Sequence, residues 1–252
     1  MEAEFRKRLA KRERLIGTLL TLPSPEIAEI CAEAGFDWLF LDMEHGLLDI
    51  KDVQRIIQAV GKRCACLVRI PENEEMWVKK TLDTGATGII MPHINTAEEA
   101  ARVVRWGQYP PKGCRSVGIA RAQGYGANLL ESIEMANKNN IFVVQAEHIE
   151  AVRNIEAILR VGGIGAAFIG PYDLSASMGR LGKLEDKGVK EAIMTIRNAC
   201  DRTGIPSGIF ARTTEAGRQA LADGHSLICC GLDVTAFSDA AQSITYALKS
   251  SQ

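Results

Sequence analysis

Short apolar runs alternate with amphipathic stretches along almost the whole chain. The runs are Leu15–Leu20, Trp38–Asp42, Cys64–Arg69, Gly88–Pro92, Ile141–Glu147, Ala166–Gly170, Ile205–Phe210 and Ser226–Gly231. They are too short for buried helices, rich in β-branched residues, and apolar on both alternating faces. That pattern predicts strands covered on both sides, as in a parallel sheet. The stretches between them carry helix signals. Ser24-Pro25 supplies an N-cap and a first-turn proline, Ile27, Ile30, Cys31 and Ala34 form a buried stripe, and Gly35 ends the helix. Asp49 caps a helix with Val53, Ile56, Ile57 and Val60 on one face, and a further helix is expected around Trp77 to Leu82. Thr96 and Glu99 make a capping box for a helix to Trp106. Further helices are predicted from Glu150 to Arg160, around Val189, Ile193 and Ile196, from Thr214 to Ala222, and from Thr235 to Lys249.

Eight strand–helix units with no break in composition predict an α/β fold, a (β/α)8 barrel formed as one domain over residues 1–252. A doubly wound open sheet is the alternative, but no G-x-G-x-x-G turn follows the first strand. The alternation fails between Gly107 and Gly126. This Gly- and Pro-rich segment also holds Arg115, Arg121, Gln123 and Tyr125, a composition that favours an ordered loop near an active site over a disordered insert. The basic run Arg6 to Arg14 is diluted by acids and reads as a solvated helix.

Composition narrows the class of function. Hydrophobic residues make up 46% of the chain, ample for a large core, and the net charge is -1 with charges scattered throughout. That argues against a nucleic-acid surface or a polybasic membrane patch. No signal-peptide core follows the N-terminal run, and no window approaches the roughly 18 apolar residues of a membrane span. The seven cysteines are odd in number; Cys64/Cys66 and Cys229/Cys230 sit in apolar runs without zinc-site spacing and read as buried thiols of a reduced, cytoplasmic protein.

In such barrels the chemistry gathers at the carboxyl ends of the strands. Five strands here end in polar groups: Asp42, Glu44 and His45 after the second, Arg69 on the third, His93 after the fourth, Gln145 and Glu147 on the fifth, and Gly170 to Asp173 after the sixth. Gln145 and Glu147 are two apart and point the same way in an extended chain. Glu147 and Asp173 come from adjacent strands and suit a hard divalent cation, Mg²⁺ or Mn²⁺, with about four of six octahedral positions left for substrate and water. The alternative is an ion pair of these acids with a Lys or Arg. The planar fork of Arg69 suits a carboxylate or a developing enolate oxygen, or a salt bridge to Glu44. If the chain turns so that Asp42 meets His45, the two form a carboxylate–imidazole pair fit for proton transfer near neutral pH. His93 has the weaker case for function, and His148 and His225 read as surface or supporting residues. The small residues of Gly170–Gly179 serve a tight turn or offer backbone N–H groups to a carboxylate.

At these residues the sequence resembles the HpcH/HpaI aldolases, the metal-dependent (class II) pyruvate aldolases. The matching pieces are Phe40–Gly46, Leu67–Arg69, Val144–Glu147 and Phe168–Gly179, in the family's order. The resemblance implies a barrel of the phosphoenolpyruvate/pyruvate type whose last helix is swapped between partners, in a hexamer built from dimers. It implies a lyase that reversibly cleaves a 4-hydroxy-2-oxo acid to pyruvate and an aldehyde. Glu147 and Asp173 would bind the metal (Mg²⁺, Mn²⁺ or Co²⁺), Arg69 would stabilise the enolate, and His45 with Asp42 would move the proton. Gln145 would line the site, and groups from Gly170 through Tyr172 to Asp173 would hold the pyruvate carboxylate. Asp83 matches an acid that lies near the catalytic histidine in the family. The chain departs from the pattern at His148, where a small hydroxyl residue is common, at Tyr172, and at Leu20–Pro23, which lacks an aromatic; these positions bear on the aldehyde side. Two readings on the same barrel stand beside this one: decarboxylation of oxaloacetate or cleavage of a CoA thioester, and a silent barrel that binds a small acid.

Overall fold

The computed structural model describes residues 2–250. Its strands are β1 (Leu15–Leu20), β2 (Trp38–Asp42), β3 (Ala65–Arg69), β4 (Gly88–Met91), β5 (Ile141–Ala146), β6 (Ile164–Ile169), β7 (Ser207–Ala211) and β8 (Leu227–Leu232). All neighbours pair in parallel and in chain order, and β8 returns to β1, so the eight strands close a barrel. The helices are α1 (Glu2–Ala10), α2 (Pro25–Glu33), α3 (Ile50–Val60), α4 (Glu75–Asp83), α5 (Ala97–Gly107) and α6 (Leu129–Asn139), then α7 (Ile149–Leu159), α8 (Pro171–Ser177), α9 (Lys187–Thr203), α10 (Thr214–Ala222) and α11 (Asp233–Lys249).

Strand alternation divides the core in two. Leu39, Leu41, Cys66 and Val68 face outward and pack under the helices. Trp38, Phe40, Ala65, Leu67, Ile141, Val143 and Phe168 face inward and fill the barrel. Phe168 stands edge-on to Trp38 and Phe40, with ring centroids 6.0 and 5.6 Å apart. These rings form a solid floor. Each inward row therefore reaches its carboxyl end directly above packed aromatic carbon. Asp42 continues the row Trp38-Phe40, Arg69 continues Ala65-Leu67, and Gln145 continues Ile141-Val143.

Four local expectations need correction. The N-terminal helix is not merely solvated: Phe5 and Leu9 of α1 are buried and join the inner core. The segment from Gly107 to Gly126 is not wholly irregular: it holds a 3₁₀ turn at Arg121–Gly126. The helix α6 that follows was not expected, although Leu129, Ile133 and Ala136 recur at helical spacing; it buries none of its residues. Gly170–Gly179 begins with the short helix α8, capped by Gly170 with Pro171 in its first turn.

The α2 stripe is also rotated. Ala28 and Ala32 are the buried residues of α2, while Ile30 is 67% exposed. Ile27 and Cys31 of the expected stripe do pack, partly buried, against the core. The last helix, α11, leaves its apolar side uncovered as well. Asp233 anchors the start of α11 by accepting from the backbone N–H groups of Thr21 and Leu22 at 2.9 and 2.8 Å and from the Thr21 hydroxyl at 2.8 Å. Beyond that anchor every residue from Ala236 to Ser250 is exposed, including Phe237, Ile244, Tyr246 and Leu248.

Candidate active site

The centre of the barrel mouth is a buried guanidinium. Asp42 and Arg69 occupy equivalent positions on β2 and β3. Arg69 Nε donates to Asp42 Oδ1 at 2.9 Å and Nη2 to Asp42 Oδ2 at 2.7 Å, a two-toothed pair. The Arg69 guanidinium carbon sits 5.2 Å above the Phe40 ring. Burial works to lower the Arg69 pKa, but the Asp42 hydrogen bonds and the surrounding carboxylates outweigh it and leave it raised.

This pairing answers the question left open over Asp42 and His45. The chain does turn after Asp42, and Asp42 Oδ1 accepts from the backbone N–H groups of Glu44 and His45 at 3.0 and 3.2 Å. Gly46 makes the turn possible, because a Cβ there would strike the Asp42 carbonyl oxygen. The carboxylate oxygens of Asp42 are thus spent on Arg69 and the backbone. The His45 ring is not bonded to Asp42. It is 68% exposed, with Nε2 3.9 Å from Glu44 Oε2.

Glu147 follows β5 and is buried beside Gln145. Gln145 Nε2 donates to Glu147 Oε2, as their shared direction along the strand requires. A Cβ at Gly170 would lie 3.1 Å from Glu147 Oε2, so a glycine there lets the β6 end approach the carboxylate. The backbone N–H of His93 donates to Glu147 Oε1 at 2.8 Å. Among the described residues no Lys or Arg forms an ion pair with Glu147. Burial raises the Glu147 pKa, against the hydrogen bonds from Gln145 and His93.

Two residues matter more to this geometry than the sequence pattern indicates. His93 takes a left-handed backbone (φ 51°), uncommon for a residue with a side chain. Its ring lies between two acids, with Nε2 2.8 Å from Glu44 Oε1 and Nδ1 3.3 Å from Glu147 Oε1. Glu44 is the second. Its Oε2 lies 3.1 Å from Arg69 Nε, outside hydrogen-bond geometry because that N–H is aimed at Asp42, and it accepts no hydrogen bond. Glu44 was visible in the sequence as one of the polar groups after the second strand, and as a salt-bridge alternative for Arg69. Nothing in the sequence signalled the backbone of His93.

The remaining expected residues divide. Asp173 stands exposed in the first turn of α8 with no partner among the described residues. Tyr172 sits next to it, its ring 6.5 Å from that of Phe210. His148 caps α7, its Nδ1 accepting from the Glu150 N–H at 3.2 Å, the task of a cap hydroxyl. Asp83 lies apart from the mouth. It ends α4, whose last turn leads into the amino end of β4, and it binds Arg115 at 2.6 Å. His225 is buried just before β8, again at the amino ends of the strands.

Comparison with known proteins assigns this architecture. A model of the HpcH/HpaI aldolase/citrate lyase family matches residues 16–240. The 5-keto-4-deoxy-D-glucarate aldolase of Shigella dysenteriae is 34% identical over 247 residues, covering 98% of this chain and 96% of that protein. The solved structure of an HpcH/HpaI aldolase/citrate lyase family protein from Burkholderia cenocepacia superposes with a TM-score of 0.94 at 34% identity, covering 98% of this chain and 99% of that one. An HpcH/HpaI aldolase from Desulfitobacterium hafniense gives 0.89 at 30% identity, over 97% and 96%. With a matching barrel and a match over nearly all of its length, this chain belongs to the HpcH/HpaI aldolase/citrate lyase family and is an enzyme of the lyase class.

Proposed function

We propose that this enzyme is a divalent-metal-dependent aldolase that reversibly cleaves a 4-hydroxy-2-oxo acid to pyruvate and an aldehyde. The observation that carries the reading is the convergence on one mouth of Arg69, its carboxylate partner Asp42, and the buried Glu147. The relatives named for 5-keto-4-deoxy-D-glucarate make that hydroxy-oxo acid the first substrate to test.

The donor set fits a hard cation. Among the described residues, Glu147 is a buried carboxylate in no ion pair with a Lys or Arg, Asp173 has no partner, and Glu44 Oε2 is buried and unbonded. Mg²⁺, Mn²⁺ or Co²⁺ would be held by Glu147 and Asp173. A divalent ion there supplies Lewis-acid polarisation of the substrate's 2-oxo group.

Each chain residue then has a task. As the C3–C4 bond breaks, its electrons move onto the 2-oxo oxygen, and Arg69, fixed by Asp42, faces that growing negative charge. His45 takes the C4 hydroxyl proton as the aldehyde forms and returns a proton to C3 of pyruvate. Gln145 orients Glu147 and lines the pocket. Gly170 keeps space open beside the carboxylate, and the backbone from Gly170 through Tyr172 to Asp173 receives the pyruvate carboxylate.

The exposed apolar side of α11 and the uncovered Ile30 of α2 support an assembly in which α11 packs on another copy, in a hexamer of dimers. Asp83 is remote from the mouth of its own barrel, so it approaches a His45 only across a subunit contact. The seven free cysteines support work in the reduced cytoplasm.

Chelation tests the core of the reading. Retro-aldol release of pyruvate should vanish with chelator and return with Mg²⁺ or Mn²⁺. Activity that survives chelation and is trapped by borohydride would mean a lysine Schiff base and would overturn it.

A further inference from the structure

We infer a second binding site, for a small oxyanion, at the opposite end of the barrel from the catalytic mouth. A cleft of about 560 Å³ is lined by Lys62, Arg115, Asn128, Ser132, Asn139 and Asn140. Lys62 lies between α3 and β3, and Asn139 and Asn140 lie at the junction of α6 and β5. Both are helix-to-strand connections, so the cleft opens at the amino ends of the strands, whereas Glu147 and Asp173 follow strands at their carboxyl ends.

Its buried side-chain polar atoms without a partner are both donors. Arg115 is 3% exposed; one arm of its guanidinium holds Asp83 at 2.6 Å and its face lies 4.7 Å from the Tyr109 ring centroid, yet its Nε–H is buried with no acceptor. The Nδ2 of Asn140 is likewise buried with no acceptor. Lys62 has no partner among the described residues. Buried N–H donors without acceptors are costly, because the water they gave up is not replaced. No buried side-chain acceptor of the lining is left without a partner. The missing partner must therefore bring acceptors. A carboxylate or phosphate group brings several, together with a negative charge to face the Lys62 ammonium. Glu131 also lines the cleft, and its charge opposes an oxyanion there, which the Arg115 guanidinium and Lys62 must outweigh. Arg115 links the cleft to Asp83, so occupancy would be felt at the α4 terminus.

The test is isothermal titration calorimetry of the full-length protein with inorganic phosphate and, separately, malonate, at fixed ionic strength set with KCl. The expected result is a binding component that Lys62→Ala weakens at least about tenfold and Asn140→Asp, which replaces a donor by a negative acceptor, removes. Binding of phosphate alone assigns a phosphate ligand, and binding of malonate alone a carboxylate; either supports the site. No component that responds to either variant, in folded proteins with wild-type circular dichroism, would overturn it. The readout does not depend on aldol cleavage and stands or falls apart from the catalytic reading.

Discussion

Arg69 grips Asp42 with two parallel hydrogen bonds, at 2.9 and 2.7 Å, from equivalent positions on neighbouring strands. Both side chains are buried, at 8% and 2% exposure. The pair makes Asp42 a mount for the guanidinium and leaves the His45 ring to act without it.

Removing the mount should cost stability as well as rate. Asp42→Ala leaves a buried guanidinium uncompensated, which destabilises by roughly 3–5 kcal/mol. The check is a urea unfolding midpoint. A loss below about 1 kcal/mol would show that water replaces Asp42 and that the mouth is wetter than its geometry implies.

Arg69→Lys keeps the charge but loses the fork. It should lower kcat by about 100-fold with a smaller change in KM, because the contact strengthens as charge develops on the substrate oxygen. Steady-state kinetics on a hydroxy-oxo acid decide the point; an equal loss in substrate affinity with kcat unchanged would assign Arg69 to ground-state binding.

Glu147→Gln should abolish metal retention on dialysis, read by elemental analysis, while the barrel stays folded. The amide preserves shape against Gln145 and Gly170 but removes the charge that holds a cation. A variant that keeps stoichiometric metal would move the ligand role elsewhere on the mouth.

The exposed side of α11 should be an interface. Full-length protein should elute as a multiple of 27.4 kDa in light scattering. Phe237→Asp with Leu248→Asp should shift it to smaller species, since both side chains are more than 70% exposed (74% and 73%) and touch nothing in their own barrel core. A monomeric wild-type protein would refute the assembly.

Acid stability should depend on His225. Burial pushes its imidazole down to about 4, from the ordinary 6.5. The unfolded chain then binds a proton below about 6.5 that the folded chain refuses until about 4, so stability falls as pH drops through that window. The loss amounts to roughly 3 kcal/mol by pH 4. His225→Gln removes this dependence and can keep a hydrogen bond to Ser207, whose Oγ lies 3.1 Å from Nδ1. Unfolding midpoints at pH 7 and 4.5 compare the two proteins; equal slopes would show that the imidazole is hydrated.

Much of this molecule is local and so is written in the chain. The alternation of apolar runs and capped helices determines eight parallel strands, because a run buried on both faces has few other fates. Period-two geometry determines that Gln145 and Glu147 share a side and that Asp42, Arg69 and Gln145 top the inward rows. What the sequence could not determine was who pairs with whom. Asp42 stands three residues from His45 and twenty-seven from Arg69, yet it binds Arg69, because closure of β2 against β3 sets the two side by side. His93 turns between Glu44 and Glu147 because its backbone is held left-handed, which no periodicity predicts. Ile30 of α2 and the apolar residues of α11 sit in ordinary helix patterns, but only the tertiary structure decides that they face outward. Burial is a property of the assembled shape, and α11 leaves the barrel at Asp233 instead of closing over it.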